Sequence, residues 1–303
     1  MAPPAAPAAT RHLFVNGDAR ELGWIPDGSV HLVVTSPPYW TLKEYNHHER
    51  QLGHIEDYEA FHDELTKVWT HAYRVLVPGG RLVCVVGDVC LSRRAFGRHV
   101  VMPLHADIIV RCRRIGFDNL TPIIWYKIAN AAYEVDRPGG GFLGKPYEPN
   151  AIIKNDIEFI LMLRKSGGYR TPTDRQRLAS KLTKEEYQEW FRQIWTLTGA
   201  STREHPAPYP VDLAYRLVRM FSFAGDVVLD PFNGTASTTL AAMMASRHSI
   251  GVEIDPKYFV GAVRRVKEAA AKQLDFLESP TKPEILVAKT SGDAAWNVGQ
   301  LFR

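Results

Sequence analysis

Cysteine is scarce in this chain of 303 residues: Cys84, Cys90 and Cys112 are the only three. They show neither CxxC spacing nor a metal-ligand pattern. A disulfide framework and structural zinc are therefore excluded as organising devices, no metal is expected, and a reducing cytoplasm is the expected compartment. Long apolar runs are also lacking, since no stretch approaches the roughly 20 residues needed to cross a bilayer. Residues 1–11 open on Ala and Pro without a basic start or an apolar core, and read as a disordered leader rather than a signal peptide. No charge of one sign dominates. A net charge of +4 permits a polyanionic partner without requiring one.

What is present is an alternation of short apolar runs with amphipathic stretches. The pattern predicts strands at Leu13–Val15, Ser29–Val34, Arg81–Val86, Thr121–Tyr126, Ile157–Leu163, Asp226–Leu229 and Ser249–Val252. It predicts helices at Tyr58–Val77, Leu104–Ile115, Thr183–Trp195, Val211–Ser222, Thr238–Ser246 and Pro256–Gln273. Pro78-Gly79-Gly80 is read as a helix stop, and Thr183 with Glu186 as a capping box. The expected architecture is α/β, a doubly wound and mainly parallel sheet. Its parts are residues 12–126, a mostly inserted region at 127–210 with one core strand near 157–163, residues 211–278, and a polar, loose tail at 279–303.

Two stretches carry chemistry. In Thr35-Ser36-Pro37-Pro38-Tyr39-Trp40 the prolines forbid both ladder donation and helix, so the chain leaves its strand in a stiff turn. That turn holds a hydroxyl beside two aromatic rings. It is either a structural turn or a site for a flat heteroaromatic ligand, with Trp40 favoured as core. The second stretch, Val227–Thr238, reads as a strand, an acidic corner at Asp230, a loop of small residues at Gly234, Thr235 and Ala236, and a helix start. Nucleotide-like cofactors are held this way at the carboxyl end of a strand. Glu253, 23 residues after Asp230, is placed to accept from both hydroxyls of a ribose, or is an ordinary surface Glu. No Lys-Ser or Lys-Thr closes the loop, which excludes a P-loop, and a single glycine weakens a nicotinamide fingerprint.

With these residues in this order, the chain resembles the S-adenosylmethionine-dependent DNA amino-methyltransferases of the permuted β class. In that family the proline motif precedes a target-recognition region, and a cofactor loop of the type Asp-Pro-Phe-x-Gly follows near the C-terminus. Here those parts are Ser36–Tyr39, a region within 127–210, and Asp230–Gly234. The resemblance spans about Phe14 to Gln273. It implies a Rossmann-like fold with circularly permuted motif order, S-adenosylmethionine as cofactor and double-stranded DNA as partner. A separate restriction endonuclease and a homodimer are further expectations. Ser36 and the carbonyl of Pro37 would hold the target amino group, Pro38 would stiffen the turn, and Tyr39 would stack on the base. Asp18, Asp230, Phe232, Gly234, Thr235 and Glu253 would contact the cofactor, although Asp18 in Asn16-Gly17-Asp18 reads equally as a plain Asx turn. The segment His205–Pro210 resembles the lead into the cofactor half, or is a stiff linker. One departure is Ala236, where the family often has a second glycine. The methyl is neutral if the residue is helical and crowds the cofactor if positive φ is required.

In the family that the chain resembles, Ser before Pro-Pro-Tyr goes with N4 of cytosine and Asp or Asn with N6 of adenine, so the resemblance implies cytosine, with adenine as the alternative. Methylation at carbon 5 would need a cysteine after a proline, and none of the three cysteines follows one. Leu163–Lys184 holds seven Lys or Arg against one acid, Asp174. Arg164, Lys165, Arg170, Arg175, Arg177 and Lys181 are its candidate DNA contacts, and Arg93, Arg94 and Arg98 a second candidate group. Rival readings are a methyltransferase acting on glutamine or RNA, disfavoured by motif order, and an inactive scaffold that keeps the fold to bind nucleic acid.

Overall fold

Along the strand Leu76–Val86, Leu82, Cys84 and Val86 enter one apolar cluster, while Val83 and Val85 enter another on the opposite face. Period-two alternation with both sets buried requires cover on both faces of the sheet. That arrangement forms in the computed structural model, which describes residues 9–42, 50–91, 93–127, 149, 153, 155–199, 209–274, 282–289 and 291–301.

In chain order its strands are β1 (Arg11–Asn16), β2 (Val30–Thr35), β3 (Leu76–Val86), β4 (Val89–Leu91), β5 (Val100–Met102), β6 (Phe117–Tyr126), β7 (Ile157–Lys165), β8 (Ile194–Thr196), β9 (Val227–Asp230), β10 (His248–Glu253) and β11 (Glu284–Ala288). The helices are α1 (Tyr58–Val75), α2 (Arg93–Phe96), α3 (Leu104–Ile115), α4 (Asp174–Ala179), α5 (Lys184–Trp190), α6 (Val211–Phe221), α7 (Ser237–Met244), α8 (Pro256–Leu274) and α9 (Ser291–Leu301). A nine-stranded sheet runs β11-β1-β10-β9-β2-β3-β7-β6-β8, and β4 and β5 form a separate ribbon. Only β7 runs against its neighbours β3 and β6; the other ladders of the sheet are parallel. Thr35, Val86, Asp230 and Glu253 therefore end their strands on one side of the molecule, whereas β7 finishes at Lys165 on the other.

Local chemistry explains most boundaries. Asp57 caps α1, its side chain accepting from Ala60 N–H at 2.7 Å, and Phe61, Leu65, Val68, Trp69, Ala72 and Val75 bury one face of the helix. The helix stops at Val75, before Pro78-Gly79-Gly80, and that tripeptide lies inside β3 rather than ahead of it. The β2–β3 register shifts between Val30 and Leu32 to accommodate it, with Gly79 at φ 76°. The Thr183 capping box forms, with Glu186 N–H donating to Oγ1 at 3.1 Å and Thr183 N–H to Oε2 at 2.8 Å.

Four expectations need correction. The helix predicted to reach Trp195 ends at Trp190, because Ile194–Thr196 finds a parallel partner in β6. The tail expected to be loose supplies β11, paired in parallel with β1, and α9, which buries Ala294, Val298 and Leu301. Residues 1–8 of the expected leader lie outside the described residues, and Arg11 already belongs to β1. In the 127–210 region, two strands rather than one join the sheet; residues 128–148 and 200–208 lie outside the described residues.

Candidate active site

Ser36, Pro37 and Pro38 leave the end of β2 and form one wall of a cleft with an empty volume of about 640 Å³. Phe232, Gly234 and Glu253 form another wall, and Asp18 with Leu52 closes it. The proline turn and the small-residue loop, almost two hundred residues apart in the chain, thus open on one space. Tyr39 and Trp40 are turned inward, each 6 % exposed. Trp40 sits in the core, as favoured: its indole N–H donates to Ile55 O at 2.8 Å and its ring meets Tyr58 edge-on at 5.1 Å. It adopts φ 45°, a strained value for a bulky residue, and packing holds it there. Tyr39 does not line the cleft. It lies behind the turn beside Gly87, where an added Cβ would come within 3.7 Å of its ring.

Asp230 has a different place from the one expected. Its carboxylate accepts from Thr35 Oγ1 at 2.7 Å, from Tyr209 OH at 3.0 Å and from Phe232 N–H at 3.1 Å. Tyr209 OH also bonds Thr238 Oγ1, which donates to Val34 O at 3.2 Å. Asp230 is buried and absent from the cleft wall. Burial raises its pKa, and the hydroxyl and backbone donors oppose that rise. It acts as the knot that ties the proline turn on β2 to the loop after β9. Thr235 is also off the cleft wall; its carbonyl accepts from Arg265 at 2.8 Å.

Glu253 lines the cleft, with Oε2 accepting from Gly234 N–H and Oε1 from Asp255 N–H, both at 2.9 Å. Burial pushes its pKa up to about 7 against those two N–H donors. Asp18 has a place both in a turn and on the cleft wall. Arg20 N–H donates to its Oδ1 at 2.8 Å, an Asx turn, and the residue also lines the cleft. Burial alone would raise its pKa, but hydrogen bonds and charge from Arg20 outweigh that and hold it low. Ala236 takes the left-handed conformation, φ 67° and ψ 33°. Its methyl is buried with Phe14, Leu240 and Phe259, away from the cleft, so it strains the backbone without crowding a ligand.

These groups suit S-adenosylmethionine. Glu253 offers carboxylate lone pairs for a ribose diol, Phe232, Leu52 and Ile254 offer apolar surface for a purine, and Gly17 and Gly234 bring bare backbone to the wall. Cys84 and Cys112 are buried and uncharged, burial pushing both thiols up, so neither supplies a thiolate here. Among the described residues no cluster could hold a metal ion, and no helix is long and apolar enough to cross a membrane.

The expected DNA contacts on the basic stretch are not brought to this cleft. Because β7 is antiparallel, Arg164 pairs with Arg81, midway along β3 and roughly 17 Å along the strand from the Val86 end that faces the cleft. Arg164 is bound to Asp118 at 2.8 Å, Lys165 donates to Leu76 O at 2.7 Å, and Arg170 is paired with Asp226. Arg175 and Arg177 on α4 and nearby Lys181 lie at this same far end, where Gln176 reaches Ala224 O at 3.3 Å. The ribbon β4–β5 and α2, carrying exposed Arg93, Arg94 and Arg98, follows directly from the carboxyl end of β3.

Sequence reasoning missed Thr35 and Tyr209 as ligands of Asp230. The pattern Pro-Tyr-Pro was the signal for Tyr209, whose carbonyl also accepts from Ser237 Oγ at 2.9 Å. It also missed Gly251, where an added Cβ would lie 2.5 Å from Cγ of buried Asn233.

The model of the N6/N4 DNA methylase family matches residues 30–264. The Type II methyltransferase M.MjaI of Methanocaldococcus jannaschii is 40 % identical over 275 residues, covering 81 % of this chain and 88 % of its own length. M.MthZI of Methanothermobacter thermautotrophicus is 34 % identical, covering 82 % of this chain and 74 % of its own. The crystal structure of a DNA modification methylase from Thermus thermophilus, complexed with S-adenosyl-L-methionine, aligns with a TM-score of 0.74 at 52 % identity, covering 93 % of this chain and all of that one. With the proline turn and the cofactor loop facing one cleft in a mostly parallel nine-stranded sheet, this chain belongs to the N6/N4 DNA methylase family, an enzyme fold that uses S-adenosylmethionine.

Proposed function

We propose that this chain methylates the exocyclic amino group of a base flipped out of double-stranded DNA, with N4 of cytosine as the target and N6 of adenine as the alternative within the class. The observation that carries this reading is the shared cleft: Ser36 and Pro37 line the same space as Phe232, Gly234 and Glu253. Bound S-adenosylmethionine supplies an electrophilic methyl group there. An amino nitrogen conjugated to a base ring is a poor nucleophile, so the protein's work is positioning and electrostatics. Ser36 Oγ and the Pro37 carbonyl accept the amino hydrogens and pull them out of the ring plane, which localises the lone pair on nitrogen. Pro38 stiffens the turn that aims these acceptors. Tyr39 recovers part of the unstacking cost of flipping, a few kcal/mol, by stacking on the base, which requires it to turn from its inward position. Glu253 and Asp18 hold the cofactor's polar groups, and Asp230 keeps the two halves of the site in register.

The Ser that begins the motif supports cytosine. Digestion of methylated DNA followed by mass spectrometry tests it: N4-methylcytosine is expected, and N6-methyladenine in its place overturns the choice. Arg93, Arg94 and Arg98 are the favoured phosphate contacts because they stand at the catalytic end, and target recognition is assigned to part of 127–210. The companion endonuclease, the homodimer and the cytoplasmic setting belong to the same proposal, on the strength of the family resemblance.

A further inference from the structure

The amino end of the sheet holds a second cleft, with an empty volume of about 1040 Å³. Arg81, Arg170, Arg177 and Arg219 line it, and Asp226 is the single acid on its described wall. Asp226 is fully engaged: it accepts from Phe223 N–H at 2.7 Å, is paired with Arg170 and stands 4.0 Å from His31. Arg219 donates to Lys181 O at 3.0 Å and approaches Glu186 at 3.4 Å. Arg81 is left without such compensation. Its guanidinium stacks 4.9 Å over the Phe221 ring, and its Nε is buried with no hydrogen-bond partner among the described residues. Its cross-strand neighbour is another cation, Arg164. Burial lowers its pKa below the usual arginine value; Tyr169 opposes that shift and the charge of Arg164 adds to it. Arg164, Arg170 and Arg219 each have an acid beside them, whereas Arg81 has only the Phe221 ring, so a half-buried cation is left without a counter-charge, which fits a site that takes an anion.

We propose that this cleft binds a small phosphorylated molecule, its phosphate held by Arg81 and Arg177 with Arg170 and Arg219 beside it. Guanidinium planes fixed on aromatic rings, Arg81 on Phe221 and Arg170 at 5.2 Å over Phe223, present paired N–H donors that match phosphate oxygens. Arg81 is half-buried within a concave wall, a setting that suits a free phosphate better than the backbone of a duplex. The site is independent of the methyl-transfer reading and stands or falls without it.

The test is calorimetric titration of the full chain with inorganic pyrophosphate at fixed ionic strength, with S-adenosylmethionine saturating the catalytic cleft. Saturable binding is expected, weakened at least tenfold by Arg81→Gln and by Arg177→Ala, while cofactor affinity is unchanged. Arg177 is exposed, so Arg177→Ala keeps the test decisive should Arg81→Gln fold poorly. Absence of saturable binding overturns the proposal, as does undiminished affinity in both variants. Displacement of pyrophosphate by a short duplex lacking any methylation site would assign the phosphates to nucleic acid and overturn the small-molecule reading.

Discussion

At the carboxyl end of the strands, the buried acids Asp230 and Glu253 are met by hydroxyl and backbone donors; at the amino end, four arginines line a cleft with one buried acid. The difference follows from helix polarity. The first turn of α7 reaches the catalytic end, where positive helix termini and turn N–H groups favour carboxylates and anions. The last turn of α6 reaches the other end, where terminal carbonyls favour cations such as Arg219. One sheet therefore separates a site built to hold a cofactor against acids from a site built to hold an anion against bases. Of the basic run in the sequence, Arg170 and Arg177 line the second.

The contrast is broken most directly by Ser36→Ala. Turnover should fall about 10²–10³-fold, the loss typical of one aimed polar group, with cofactor affinity unchanged; undiminished single-turnover rates would refute the role of Ser36. Arg81→Gln at the other end should leave turnover intact. Asp230→Ala should cost about 3 kcal/mol in urea unfolding, because Thr35 and Tyr209 lose a buried acceptor. If stability held and only cofactor affinity fell, Asp230 would be a ligand rather than a knot.

Replacing Arg93, Arg94 and Arg98 with Ala should weaken DNA binding more than tenfold and reduce the salt slope by about 3. Arg175→Glu with Arg177→Glu should leave both as they are, and a matching loss there would erase the distinction between the two ends. Glu253→Gln should weaken the cofactor about tenfold, near the cost of one charge-assisted hydrogen bond. The raised pKa of Glu253 also sets a pH dependence. The native chain binds this proton more tightly than the unfolded chain, so the stabilisation is full below the ordinary carboxylate range and is lost as pH rises through about 7. Cofactor affinity runs the other way, improving as the carboxylate ionises, and Glu253→Gln should flatten both profiles. The smallest effect is expected for Ala236→Gly. Relief of the left-handed strain, about 1 kcal/mol, is offset by loss of a buried methyl, about 0.8 kcal/mol, so melting should scarcely move.

Much of the fold was legible because its signals are local. Period-two runs such as Leu82–Val86 and the helical stripe Phe61–Val75 announce their elements. The boundaries that failed depended on distant partners. Ile194–Thr196 looks like the end of a helix until β6 is beside it, and Glu284–Ala288 looks like a polar tail until β1 lends it a ladder. The site divides in the same way. That Ser36 and Glu253 matter to one site could be read from motif and spacing, and both line the cleft, whereas the knot of Thr35, Tyr209 and Asp230 joins three segments by side-chain hydrogen bonds that no spacing records.

By itself, the order of residues determined the class of chemistry: a proline turn with a hydroxyl, a small-residue loop, and an acid one strand further on. Those requirements are met within a few consecutive residues and survive any arrangement of the rest. Tertiary structure alone decided where charge is used. The antiparallel direction of β7 carries the Leu163–Lys184 basic run away from the catalytic cleft, because a strand's direction is set by the neighbours it pairs with and not by its own composition.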